Sequence, residues 1–188
     1  MEAGAALIKD TPYDEITVED ITDACGMSKG TFYVHFPSKD QFFYAVCHAD
    51  YDKLKETLSD EGTPLFLERL RNYCREWILI NENVSIYYLQ NYFSHMLDTE
   101  FHESTTGDAD PIAKHREDIV ACLEEALKSG ELTQDAPIGD LADSILLTLI
   151  GYDVYGVMTR RRVEPAKWSA LLANSLIDRV ASPYSSMS

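Results

Sequence analysis

A chain of 188 residues is long enough for one sizeable core, or for a small domain joined to a larger one. A hydrophobic content of 45% excludes a disordered protein, while a net charge of −16 argues against a protein that holds nucleic acid through bulk positive charge. The four cysteines, Cys25, Cys47, Cys74 and Cys122, are scattered without a C-x-x-C pair, which favours buried reduced thiols over a disulfide frame or a zinc site.

Residues 2–9 read as a first helix, with Ala5, Ala6 and Ile8 toward a core. Asp10-Thr11-Pro12 breaks it, and Tyr13 and Ile16 are placed to plug the base of a small domain. Thr17 is a helix N-cap type, answered three residues on by Asp20. Val18, Ile21 and Cys25 then recur at helical spacing, and Gly26 stops the helix. Ser28 caps the next helix, where Phe32 and Phe36 share one face. The other face carries Lys29, Gly30, Thr31, Tyr33 and His35. Pro37 ends that helix, because the residue before a proline is pushed out of the helical region.

Two short helices joined by a glycine turn make a helix-turn-helix, whose second helix enters the major groove of DNA. Lys29 can reach a base edge or a phosphate, and Gly30 lets the backbone approach closely. Thr31, Tyr33 and His35 suit phosphate oxygens.

The run from Thr17 through Val46, TVEDITDACGMSKGTFYVHFPSKDQFFYAV, resembles the DNA-binding domain of the TetR family of transcriptional regulators. The resemblance rests on Thr17, the Gly26 turn, Lys29-Gly30-Thr31-Phe32-Tyr33, His35-Phe36 and Lys39. It implies an all-α homodimer, with an N-terminal three-helix helix-turn-helix head and a helical body for ligand binding and dimerisation. It divides the chain into a DNA-binding domain at 1–48 and a ligand-binding and dimerisation domain at 49–188. Carried over residue by residue, base contacts fall on Lys29, Gly30 and Tyr33, and phosphate contacts on Thr17, Thr31, His35 and Lys39, with Ser28 in the same DNA-binding set. Glu19 stands where many members carry a cation or another polar group. Family members normally carry a basic arm ahead of the first helix, and Met1 falls inside that helix. Residues 1–48 hold three lysines against eight acids, a net of −5, so weak non-specific binding and strong salt sensitivity are expected.

Beyond the head, one long helix is expected from residue 38 to about residue 58, linking head to body, with a linker at residues 60–64. Further helices are expected at 65–81, 84–97, 111–128, 138–158 and 168–180, with a polar loop at 99–110 and a polar tail at 181–188. The 138–158 segment is apolar on nearly every face, which suggests a subunit interface as well as a core. With the last helix it would form a four-helix interface across a two-fold axis, through Leu146, Leu149, Trp168, Leu172 and Leu176.

Aromatic residues crowd the body, and ligand pockets are mostly apolar and aromatic. The candidate effector set is Phe66, Tyr73, Trp77, Tyr88, Tyr92, His95 and Tyr152, suited to a hydrophobic or aromatic molecule. Aromatics at helical spacing are equally what an ordinary core contains; the resemblance favours the pocket. His95, His102 and His115 do not share a helical turn, so hydrogen-bonded histidines are favoured over a metal site. Arg160-Arg161-Arg162 suits the C-terminal end of a helix. No catalytic motif is present and no cofactor is expected. No run of membrane-span length and no signal pattern stand out, so the cytoplasm is the expected location. The reading is a repressor released from its DNA operator by a small-molecule effector. The alternative is a helical interaction protein with a degenerate head that no longer binds DNA.

Overall fold

A computed structural model of the chain describes residues 2–59, 65–82, 86–97, 111–160 and 165–186. The helices are α1 (Glu2–Asp10), α2 (Val18–Cys25), α3 (Lys29–His35), α4 (Lys39–Leu58), α5 (Phe66–Glu82), α6 (Ile86–Leu97), α7 (Pro111–Ser129), α8 (Ile138–Met158) and α9 (Pro165–Val180). Short 3-10 turns lie at Tyr13–Glu15 and Ser182–Tyr184. The fold is all-α; among the described residues the sole extended pairing is an isolated bridge between Leu132 and Ser185. The expected linker at 60–64 and loop at 99–110 lie outside the described residues.

By contact the chain forms two units, one of residues 1–50 and 83–108, the other of 51–82 and 109–188. Packing groups α6, which the sequence reading places in the body, with the residues of the head. In this first unit α6 packs on α1 and the Tyr13–Glu15 turn. The side chain of Asn91, buried at 7% exposure, accepts from Tyr13 N at 3.0 Å and donates to the Thr11 carbonyl at 3.3 Å. The unit's core comprises Ile8, Ile16, Ile21, Phe32, Phe42, Phe43, Val46 and Leu89. Ile8 faces this core as expected, whereas Ala6 is exposed and Ala5 half-buried. Gly4, not Ala6, makes the close approach: a Cβ there would lie 2.8 Å from Phe42 and 2.9 Å from the Cys25 sulfur.

The second unit is built from the C-terminal part of α4 with α5, α7, α8 and α9. Its core runs from Leu54 and Leu58 through Phe66, Leu70, Tyr73 and Ile78 to Ile119, Leu123, Ile145, Leu149 and Ile177. The buried Cys74 and Cys122 belong to it, and burial pushes their thiols up to about 12 and about 11. The Glu131 carboxylate accepts from Phe66 N at 3.2 Å, supplying the start of α5 with a cap from a distant turn. Residues 181–186, in the stretch expected as a polar tail, are tied to this unit. Ala181 is fully buried, Thr133 N donates to the Tyr184 carbonyl at 2.9 Å, and Ser186 N donates to the Glu131 carbonyl at 2.8 Å.

Two readings of α8 change. By length and mean hydropathy (1.4 over an 18-residue window) it is apolar enough to cross a bilayer, although no such run stood out in the sequence, where aspartates punctuate it. And Leu146 (4% exposed), Leu149 (0%) and, on α9, Leu176 (8%), expected at a subunit interface, are buried in the chain's own core. Leu172 is half-buried against the same core, and the Trp168 side chain lies outside the described residues. The apolar groups α8 leaves on the surface are Leu147, Val154, Tyr155 and Met158, one stripe at helical spacing, with Leu171 exposed on α9.

Candidate nucleic-acid interface and effector site

The helix-turn-helix is built by local signals. Thr17 and Asp20 form the reciprocal capping box, with Thr17 N donating to Asp20 Oδ2 at 2.8 Å and Asp20 N to Thr17 Oγ1 at 3.2 Å. These bonds hold the Asp20 carboxyl below its ordinary value. Gly26 ends α2 in the left-handed region (φ 64°), where its own N–H and that of Met27 return to the last carbonyls of the helix. Ser28 then caps α3, accepting from Thr31 N at 3.1 Å. Phe36 is extended ahead of Pro37, so α3 stops at His35. Phe32, Phe36 and Phe42 meet as a three-ring cluster with centroids 5.0 to 5.8 Å apart, fixing the back of α3.

With its back fixed, α3 exposes Lys29, Gly30, Thr31, Tyr33, Val34 and His35. Tyr33 is 52% exposed, and neither its hydroxyl nor the His35 ring takes part in a hydrogen bond among the described residues. The other expected contacts are already engaged within the head. Thr17 Oγ1 donates to Asp20 Oδ2 at 2.6 Å. The hydroxyls of Ser28 and Thr31 bond to each other at 2.9 Å. Lys29 pairs with Glu19 across the turn, both side chains more than half exposed.

Lys39 differs most from its expected role. Its Nζ donates to the carbonyls of Tyr13 and Ile16, each at 2.9 Å, and lies 3.8 Å from the centre of the Tyr13 ring. The Tyr13 hydroxyl in turn donates to Asp40. Burial and that carboxylate push the Tyr13 hydroxyl's pKa up. Thus Lys39 ties the turn before α2 to the start of α4. Its place in the sequence could not distinguish this from a phosphate contact, because the two carbonyls it caps lie 23 and 26 residues away.

The effector candidates divide between the units. Phe66, Tyr73 and Trp77 are buried in the second unit and Tyr152 is half-buried there, whereas Tyr92 belongs to the first, stacked edge-on with Phe93. The side chains of Tyr88 and His95 lie outside the described residues. In the second unit a buried polar chain appears. The Tyr73 hydroxyl shares a hydrogen bond with His115 Nδ1 at 2.8 Å. The His115 ring lies 4.7 Å from Trp77, and Trp77 Nε1 donates to Asp153 Oδ2 at 2.7 Å. His115 is therefore hydrogen-bonded, while His102 lies outside the described residues. Asp153 was missed from the sequence, although a carboxylate within the apolar second half of α8 was the available signal.

Residues 1–46 match the family model described as bacterial regulatory proteins, tetR family. The chain is 57% identical over 42 residues to the HTH-type transcriptional regulator YwcC of Bacillus subtilis, a match spanning 22% of this chain and only 19% of that relative. It is 27% identical over 150 residues to the HTH-type transcriptional repressor AcnR of Corynebacterium jeikeium, covering 80% of this chain and 74% of that protein. In fold it is similar to the transcriptional regulator FadR of Bacillus subtilis, solved in complex with stearoyl-CoA. The TM-score is 0.73 at 16% identity, over 96% of this chain and 95% of that one.

Proposed function

Since this chain belongs to the TetR family of transcriptional regulators, we propose that it is a dimeric repressor whose α3 reads an operator and whose body answers a small hydrophobic or aromatic molecule. The observation that carries the reading is the α3 face. Gly30, Tyr33 and His35 stand exposed on a helix whose back is locked by Phe32, Phe36 and Phe42. A second copy supplies the second recognition helix, because half-sites lie about one helical turn of DNA apart. The stripe Leu147, Val154, Tyr155 and Met158, with Leu171, is the surface it would cover. In the body the Tyr73–His115 and Trp77–Asp153 pairs would set polar contacts beside apolar walls. α4 contributes residues to both units. Effector binding would shift its position, respace the heads and lower operator affinity by population shift. The protein is a cytoplasmic DNA-binder on this reading and performs no catalysis.

The second reading is an interaction protein with a degenerate head. The engagement of Lys29 by Glu19 and of Lys39 by two carbonyls favours it. Fluorescence anisotropy on the duplex upstream of the chain's own gene separates the two. The repressor reading expects tight, salt-sensitive binding of that duplex, loss with Tyr33→Ala, and monomerisation with loss of binding for Leu147→Asp. Stearoyl-CoA serves as the first effector probe, expected to weaken binding while the dimer persists. Equal, weak binding to an unrelated duplex favours the interaction protein.

A further inference from the structure

The α2–α3 turn places Glu19, in the first turn of α2, against Lys29, the first residue of α3. Their side chains are 56% and 52% exposed and they pair with each other. The carboxylate has no second partner among the described residues. An acid in a first turn favours its helix through the macrodipole, but here Asp20 already caps α2 in both directions. Glu19 is thus free to meet whatever Lys29 meets.

We propose that Glu19 is a specificity-determining residue, reading a G·C pair jointly with Lys29; this rests on the operator-binding reading above. A carboxylate carried into the major groove lies among phosphates and is unfavourable there unless it accepts a hydrogen bond. The base edges offer two amino donors, cytosine N4 and adenine N6. Lys29 needs acceptors, and guanine presents two, O6 and N7, beside the N4 of its cytosine partner. A donor and an acceptor held side by side therefore match the G·C edge: Lys29 donates to guanine while Glu19 accepts from cytosine. The pair seen in the free head is the arrangement that DNA binding would open by exchange, each charge trading its neighbour for a base.

Selection of the full-length dimer on a randomised duplex library, with wild type, Glu19→Ala and Glu19→Gln, tests this. Wild type is expected to favour G·C roughly tenfold or more at one position of each half-site. Glu19→Ala should flatten that preference while raising affinity for unrelated duplex. Glu19→Gln should move it toward A·T, because an amide pairs with adenine N6 and N7. If all three proteins select the same site, and the variants only bind every duplex more tightly, Glu19 merely repels DNA and the proposal fails. A wild-type preference for A·T at that position also overturns it. Selection of no sequence by wild type overturns the operator-binding reading itself, and with it this inference.

Discussion

The ammonium of Lys39 caps two carbonyls from a half-buried position, and two of the head's three lysines are therefore spoken for before DNA arrives: Lys39 by Tyr13 and Ile16, Lys29 by Glu19. These engagements differ in kind. The Lys29 pair is exposed, so it is worth little in water and opens readily. Lys39 donates to two backbone carbonyls, of which that of Tyr13 also accepts from Ile16 N, and hydrogen bonds to a charged group contribute about 1.5–3 kcal/mol. Lys39→Met should therefore lower the urea stability of the head by about 2 kcal/mol. The salt dependence of DNA binding should barely change. A phosphate-contacting lysine would give the reverse, with the log–log salt slope falling by about 1 and stability unaltered.

Among the elements, α6 has the least expected partner. Asn91 satisfies the N–H of Tyr13 and the carbonyl of Thr11, so a helix more than 70 residues downstream closes the loop between α1 and α2. Asn91→Ala leaves both backbone groups without that partner and should cost about 1–3 kcal/mol, read as faster hydrogen exchange at Tyr13 and across α1. Unchanged exchange there would show that the loop holds without α6. None of this was legible in the sequence, because nothing local marks Asn91 as facing α1. The opposite holds for α2 and α3. The Thr17–Asp20 box, Gly26, Ser28 and Pro37 are each read within three or four residues, and each does what its position implied. α8 lies between these cases. Its limits were readable, but a helix apolar on every face carries no periodic signal to say which leucines point inward. Leu146 and Leu149, expected from the sequence at a subunit interface, are buried in the chain's own core, and Leu147 between them is exposed. The buried Asp153 was hidden in the same way, since its partner Trp77 is 76 residues distant.

For the molecule as a whole, titration sets two unequal limits on stability. On the acid side, Asp20 and Asp143 are held below their ordinary value, by Thr17 and by Arg116 respectively. Their contribution is present above the unfolded carboxyl pKa and is lost as pH falls through the lower folded value. Both are exposed, and lowering the pH also relieves the self-repulsion of a chain carrying −16, so this limb should be shallow. The alkaline limb runs the other way. Cys74 and Cys122 ionise from 9.0 when unfolded but are held to about 12 and about 11 in the fold by burial. Tyr13 is shifted in the same direction. A raised folded pKa gives stability that is intact below the unfolded value and lost as pH rises through the folded one, at up to about 1.4 kcal/mol per pH unit for each thiol. Rising negative charge adds to the loss. Thermal melts under reducing conditions should therefore be steeper between pH 9 and 11 than on the acid side. Cys74→Ala should melt lower than wild type at neutral pH, through lost packing, yet fall less steeply over that alkaline interval. Parallel alkaline slopes for the two proteins would exclude the buried Cys74 thiol as a cause and leave charge repulsion to explain the limb.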